Sequence, residues 1–273
     1  MDMENSYYNR LVELCTQKNS RLCIGLDFDL NNMKINQVND LDSLESFIKD
    51  TIDSTIDICS VYKPNFAFYE KYGPSGMKLL ENIVSHINKR SIVIADAKRG
   101  DIGNTSKNYA NAIFSYYDFD AITISPYMGS DTIMPFIDDS SKGVYLLCLT
   151  SNKSAIDFQY KFSDNSYLYE DVAKLALSLN NNYNIGLVVG ATKKEDMQRI
   201  KDIAPSLTWL VPGIGAQGGD LGKSVSISNS QQGIGIINVS RGIICAGNQS
   251  LNDIRSSAIS YNEQINNILG KNE

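Results

Sequence analysis

The sequence predicts an α/β fold, a closed (β/α)8 barrel forming one domain, and three observations predict it. Eight short β-rich runs recur along the chain, most of them continuously apolar, as strands covered on both faces are. Amphipathic stretches with helical spacing lie between them. Charged and polar residues gather where the runs end. Strands alternating with helices imply a parallel sheet, and eight of them in one domain imply closure. An open doubly wound sheet is the alternative. The 273 residues, 42% of them hydrophobic, are enough for one large core.

The first 20 residues read as an N-terminal helical extension. The runs follow in order: RLCIGLD (21–27), VYKPNFAF (61–68), SIVIADAK (91–98) and DAITISP (120–126). GVYLLCLT (143–150), IGLVVGAT (185–192), TWLVPG (208–213) and IGIINVSR (234–241) complete the set. After the first run, Leu44, Phe47, Ile48, Ile52 and Ile56 fall on one helical face, with Asp42 as the expected N-cap. LYEDVAKLALSLNN and LNDIRSSAISYNEQINNILG have the same character. The segment 219–233 is predicted to be the longest polar loop.

Composition narrows the function. A net charge of −6 argues against a nucleic-acid or anionic membrane surface. The five cysteines are widely spaced and odd in number, which points to buried thiols in a reducing, cytoplasmic setting. The polar, acidic N-terminus is not a signal peptide, and no apolar run is long enough to span a membrane. The one histidine, His86, lies in a helical stretch and reads as a surface or half-buried helix residue. Histidine-based triads and metal sites are therefore disfavoured.

The strand ends carry the chemistry. The first ends in Asp27, the second carries Lys63, and the third carries Asp96 and Lys98, with Asp101 in the following turn. The fifth runs into Thr150-Ser151-Asn152 and the eighth into Ser240-Arg241-Gly242. Ion pairing at the barrel mouth would explain any one of these, but a site better explains the series. Strand alternation points Asp96 and Lys98 the same way. Desolvating several charges costs several kcal/mol per ion, on the order of what hydrophobic packing would save; a charged substrate is the natural use of such an array. PGIGAQGGD (212–220) contains G-x-G-x-x-G. The preceding Pro212, the late position and the lack of an acid some 20 residues on argue against a dinucleotide fold. Exposed backbone N–H groups facing a phosphate are the simpler reading, with Arg241 on the same anion.

With these motifs in view, the chain resembles orotidine 5′-monophosphate decarboxylases of the longer form. GLD, YKPNFAFYE, DAKRGDIGNT, PYMGSD, TSN, DFQ, VGAT, PGIGAQGGD and NVSRGI carry the resemblance, in that order. It implies conversion of orotidine 5′-phosphate to UMP and CO₂ in pyrimidine biosynthesis, with no metal or organic cofactor. It also implies a homodimer with shared active sites, and leaves open association or fusion with orotate phosphoribosyltransferase. Lys63, Asp96, Lys98 and Asp101 would form a charged tetrad, with Asp101 supplied to the partner's site and Lys98 protonating C6. Asp27, Lys63 and the partner's Thr105 would hold the ribose, and Ser151 the pyrimidine. Gln217 would reach from base to phosphate, Arg241 would hold the phosphate, and closure on that phosphate would make 213–233 a lid. Ile102, Pro212, Gly218 and Gly242 would complete the substrate contacts. An Mg²⁺-dependent sugar-phosphate decarboxylase shares the D-x-K-x-x-D core, and Ser151 and Gln217 favour the nucleotide. A Schiff-base aldolase is countered by Asp96, which keeps the lysine protonated. A non-catalytic nucleotide-binding barrel is the remaining alternative.

Overall fold

The computed structural model describes residues 6–191, 193–215, 219–230 and 232–270. Each of the eight predicted runs holds one barrel strand, the third strand ending one residue past its run. These are β1 (Leu22–Gly25), β2 (Val61–Lys63), β3 (Ile92–Arg99), β4 (Ala121–Ile124), β5 (Gly143–Leu149), β6 (Ile185–Val189), β7 (Thr208–Val211) and β8 (Gly235–Val239). All pair in parallel in sequence order, and β1 closes the ring on β8 with Leu22 opposite Ile237 and Ile24 opposite Val239. The run 61–68 outlasts its strand because Pro64 has no N–H to donate to a ladder.

Side chains alternate across the sheet and build two cores. Leu22, Ile24, Tyr62, Val93, Leu146, Trp209 and Val239 face outward and pack under the surrounding helices. Cys23, Val61, Ile94, Ala121, Tyr145, Leu210 and Ile236 fill the barrel interior. Helix α1 (Tyr7–Gln17) belongs to this inner cluster through Tyr7, Leu11 and Cys15. It stoppers the amino-terminal end of the barrel, where Tyr7 Oη meets Tyr145 Oη at 2.9 Å. Gly143 makes room for it, since a Cβ there would lie 2.4 Å from the Tyr7 ring. Burying Leu11 completely contributes about 1.5–3 kcal/mol. The amino-terminal end is thus closed and apolar, and the polar residues of the barrel interior collect at the other end.

Two expectations for the helices change. Helix α2 (Leu41–Thr55) buries Leu44, Phe47, Ile48 and Ile52 as the spacing requires, but its N-cap is Asp40, not Asp42. Asp40 accepts from Ser43 N at 2.8 Å, and Ser43 Oγ accepts from Asp40 N at 3.2 Å, closing a capping box. The predicted polar loop 219–233 contains a helix, Leu221–Ser228, capped by Asp220 and packed through Ser224, Val225, Ile227 and Ser228. Its buried face is half serine, so apolar periodicity could not reveal it. A packed barrel helix is not a lid, and the lid expectation for that segment is withdrawn. His86, in the helix Gly73–Ile87, pairs with Asp53 at 3.0 Å on the outer surface. Cys15, Cys23, Cys59 and Cys148 are buried free thiols. Among the described residues no helix is long and apolar enough to cross a membrane.

Candidate active site

The end of β3 is irregular. Ala95 pairs with Ile122 and Arg99 with Ile124, so the stretch between them on β3 is longer than its β4 counterpart. The extra length is taken up by a bulge, with Lys98 at φ 49°. Lys98 N donates to Thr123 Oγ1 at 3.1 Å, which fixes the bulge. Simple alternation therefore does not describe this strand end. The bulge nevertheless returns the Lys98 ammonium to Asp96 Oδ1 at 2.6 Å.

Asp96 is the centre of the array. Its Oδ2 accepts from Lys63 Nζ at 2.9 Å, and its Oδ1 accepts from Thr123 Oγ1 at 3.0 Å as well as from Lys98. Burial alone would push this carboxyl up; Lys63 and Lys98 outweigh it and hold Asp96 well below the usual carboxylate range. Burial alone would push Lys63 down, but Asp27 and Asp96 reverse that and hold it above the ordinary lysine value. Lys63 is 4% exposed, while the Lys98 side chain is 48% exposed. One ammonium is thus structural to the carboxylate, and the other stands at the opening. Arg99 takes no part. It bonds Glu70 at 2.5 Å and lies over the Phe66 ring at 5.2 Å.

Asp101 stays out of this chain's array. Its Oδ1 accepts from Ile102 N at 2.8 Å, and among the described residues it forms no ion pair. Ser106 Oγ bonds its carbonyl and anchors the turn into α5 (Gly103–Asn111). Ile102 and Thr105 are exposed beside it.

Across the barrel, Asp27 follows β1. Its Oδ1 accepts from Asn65 N at 3.2 Å and its Oδ2 from Ser240 Oγ at 2.5 Å. Gly25 allows that contact, because a Cβ on it would fall 1.7 Å from Ser240 Oγ. Asp27, Lys63, Asp96, Pro212 and Arg241 line a cavity of about 780 Å³. Ser240, named at the end of the eighth run, lines it too, as do Asn238 and Asn65, which were not anticipated. Arg241 opens the short helix Arg241–Ile244 and has no carboxylate partner among the described residues. Gly242 packs away from the opening, where a Cβ would meet Tyr261 Oη at 2.7 Å. Gly213 and Gly215 adopt φ of 97° and 78°, and Gly219 N bonds Gly213 O at 3.2 Å, which closes the base of the glycine loop. Gln217 and Gly218 lie outside the described residues.

Ser151 is exposed just past β5. It lies against Gly190, whose hypothetical Cβ would be 3.0 Å from Ser151 N. The structure thus brings Asp27, Lys63, Asp96 and Lys98 together and sets Arg241 and Pro212 in the same cavity. Ser151 lies on the β5 side of the opening, and Asp101, Ile102 and Thr105 on the turn after β3. Thr123, which sequence reasoning missed, binds both Asp96 and Lys98. The polar threonine between Ile122 and Ile124 was its one signal. Among the described residues no three His, Cys, Asp or Glu side chains stand together as metal ligands.

A closed parallel barrel with an acid–base array at the carboxyl ends of its strands, and beside it an arginine with no carboxylate partner among the described residues, defines a (β/α)8-barrel enzyme for an anionic substrate. Residues 20–252 match the family described as orotidine 5′-phosphate decarboxylase / HUMPS, and the chain belongs to that family. An orotidine 5′-phosphate decarboxylase of Dehalococcoides mccartyi is 43% identical over 245 residues, covering 88% of this chain and 89% of the relative. One from Flavobacterium johnsoniae is 40% identical over 95% of this chain and 97% of its own. Among solved structures, the OMP decarboxylase of Leishmania donovani superposes with a TM-score of 0.84 at 37% identity, covering 96% of this chain and 98% of that one. The UMP synthase of the same organism matches with a TM-score of 0.86 at 38% identity. The alignment takes in 96% of this chain and 56% of that longer protein.

Proposed function

We propose that the chain decarboxylates orotidine 5′-phosphate to UMP and CO₂, with no metal or organic cofactor. The observation that carries the proposal is the Lys63–Asp96–Lys98 array, with one buried and one accessible ammonium on a single carboxylate.

Loss of CO₂ from C6 leaves an anion in the ring plane with no conjugated sink. An organic cofactor would ordinarily supply one. Here a fixed ammonium beside the developing charge stabilises it and then donates the proton, which is the role given to Lys98. Asp96, kept ionised by its two lysines, lies against the departing carboxylate and holds the Lys98 side chain in place. Lys63 and Asp27 bind ribose hydroxyls. Arg241 takes the phosphate, assisted by the glycine loop with Pro212, Gln217 and Gly218, while Gly242 shapes the strand end. Phosphate binding far from C6 supplies energy that one lysine cannot. Ser151 bonds the pyrimidine. Asp101, Ile102 and Thr105 serve the partner's site in a homodimer, in keeping with the exposure of Ile102 and Thr105 and with the absence of Asp101 from its own chain's array. The chain works as one barrel domain in the cytoplasm, alone or joined to orotate phosphoribosyltransferase.

Adding the protein to orotidine 5′-phosphate in EDTA should replace the substrate's absorption spectrum with that of UMP. Turnover that requires Mg²⁺ would support a sugar-phosphate decarboxylase instead, and UMP binding without turnover a non-catalytic barrel.

A further inference from the structure

We propose that Gln159 is a positioning residue for pyrimidine recognition, acting through Ser151; this rests on the role given to Ser151 above. Gln159 lies beyond the exposed strap that leaves β5. Its side-chain amide reaches back to the start of that strap and makes two bonds to one residue. Thr150 N donates to Gln159 Oε1 at 2.8 Å, and Gln159 Nε2 donates to Thr150 Oγ1 at 2.7 Å. The Thr150 hydroxyl donates its own proton onward to Asn152 Oδ1 at 2.6 Å. Each proton has one destination, so the three bonds fix one another's direction. Ser151 lies between the two residues so held.

Packing cannot do this work. Within 151–158 only Ala155 is buried, and Ile156 and Phe158 are 67% and 61% exposed. The strap is a single short turn, Lys153–Asp157, with few apolar anchors. Its far end is tied by Tyr160 Oη, which donates to Asp196 Oδ2 at 2.7 Å. Its near end has the Gln159 clamp on one side and Gly190 on the other. Gly190 leaves space for Ser151 N that any side chain would crowd. Without the Gln159 amide, Thr150 loses both bonds from that side chain and keeps the one to Asn152, and Ser151 loses its fixed flank. Arg241 opens the short helix after β8, and β8 is three strands from β5 around the ring, so phosphate binding should not feel the change.

The test uses the full chain and two ligands, UMP and ribose 5-phosphate, which share the phosphate but not the base. Gln159→Leu keeps the volume and removes both bonds. It should weaken UMP about tenfold, the size expected when polar groups lose their partners, and leave ribose 5-phosphate unchanged. Adding Gln159→Leu to Ser151→Ala should cost UMP less than it does in the wild-type chain. Gln159→Glu retains an acceptor for Thr150 N and should lose less than the leucine variant; it also carries the test if Gln159→Leu does not fold. Wild-type affinity for UMP in folded Gln159→Leu would overturn the proposal. So would parallel loss of both ligands, or losses that multiply with Ser151→Ala. Failure of the decarboxylase proposal shows differently, as a wild-type chain that does not turn over orotidine 5′-phosphate.

Discussion

Lys98 occupies a backbone region that costs a non-glycine residue on the order of 1 kcal/mol, and the bonds to Asp96 and Thr123 are what hold it there. Because its side chain is half exposed and Asp96 retains Lys63 and Thr123, removing it should spare the fold. Lys98→Ala is expected to lower turnover by well over about a hundredfold, the scale of lost acid catalysis and charge stabilisation together. An unchanged melting temperature with activity within tenfold of wild type would refute the role. Gly25 is the opposite case, a residue with no chemistry on which the chemistry depends. A Cβ there would also lie 2.9 Å from Ser240 Cβ, so rotating the hydroxyl cannot clear it. Gly25→Ala should cost about 1–3 kcal/mol in a denaturant titration, as overpacking does, and should separate Ser240 from Asp27. The charged residues were legible because each interrupts an apolar strand. Thr123 and the bond from Ser240 to Asp27 were not, because the partners lie 27 and 213 residues apart and no local motif joins them.

At the scale of elements, the strands were readable and the shortest helix faces were not. Continuous apolar runs mark buried parallel strands whatever their neighbours are. The bulge in β3 is a property of its pairing with β4, which no single strand reveals. The helix Leu221–Ser228 hides its buried face behind serines that pack against a neighbouring element. Lys201 is part of that packing. It lies on the helix Lys194–Ile203, is 0% exposed, and donates to Ser228 O at 3.1 Å, at the end of the helix Leu221–Ser228. The Trp209 ring lies 5.4 Å from its ammonium, and among the described residues it has no carboxylate partner. Burial pushes Lys201 down from 10.5 to about 8. Between those values the unfolded chain holds a proton that the folded chain has released, so stability rises with pH across this window. Below about pH 8 both states are charged and the burial cost is felt in full. The stability of wild type relative to Lys201→Met should therefore climb from pH 8 to 10.5, by an amount of the order of 1–3 kcal/mol. A pH-independent difference between the two would show that Lys201 is not buried as a charge.

For the whole molecule, the question is how many chains make one site. Asp101 follows Lys98 by three residues, yet the β3 bulge and the turn into α5 carry it away from Lys63, Asp96 and Lys98. Ile102, at 61% exposed, follows it on the outer surface, as expected of a segment that a second copy covers. If Asp101 serves the partner's array, a chain lacking it fails even though its own Lys98 is intact. Lys98→Ala and Asp101→Ala chains, each inactive alone, can be mixed and allowed to exchange. In a mixed two-fold dimer one site then receives both lesions and the other receives neither. Random exchange makes half the dimers mixed, each with one good site, so activity should return to about a quarter of wild type per total site. If Asp101 served its own chain, every site in every dimer would carry one lesion. No activity would return, and the site would have to be rebuilt within a single barrel.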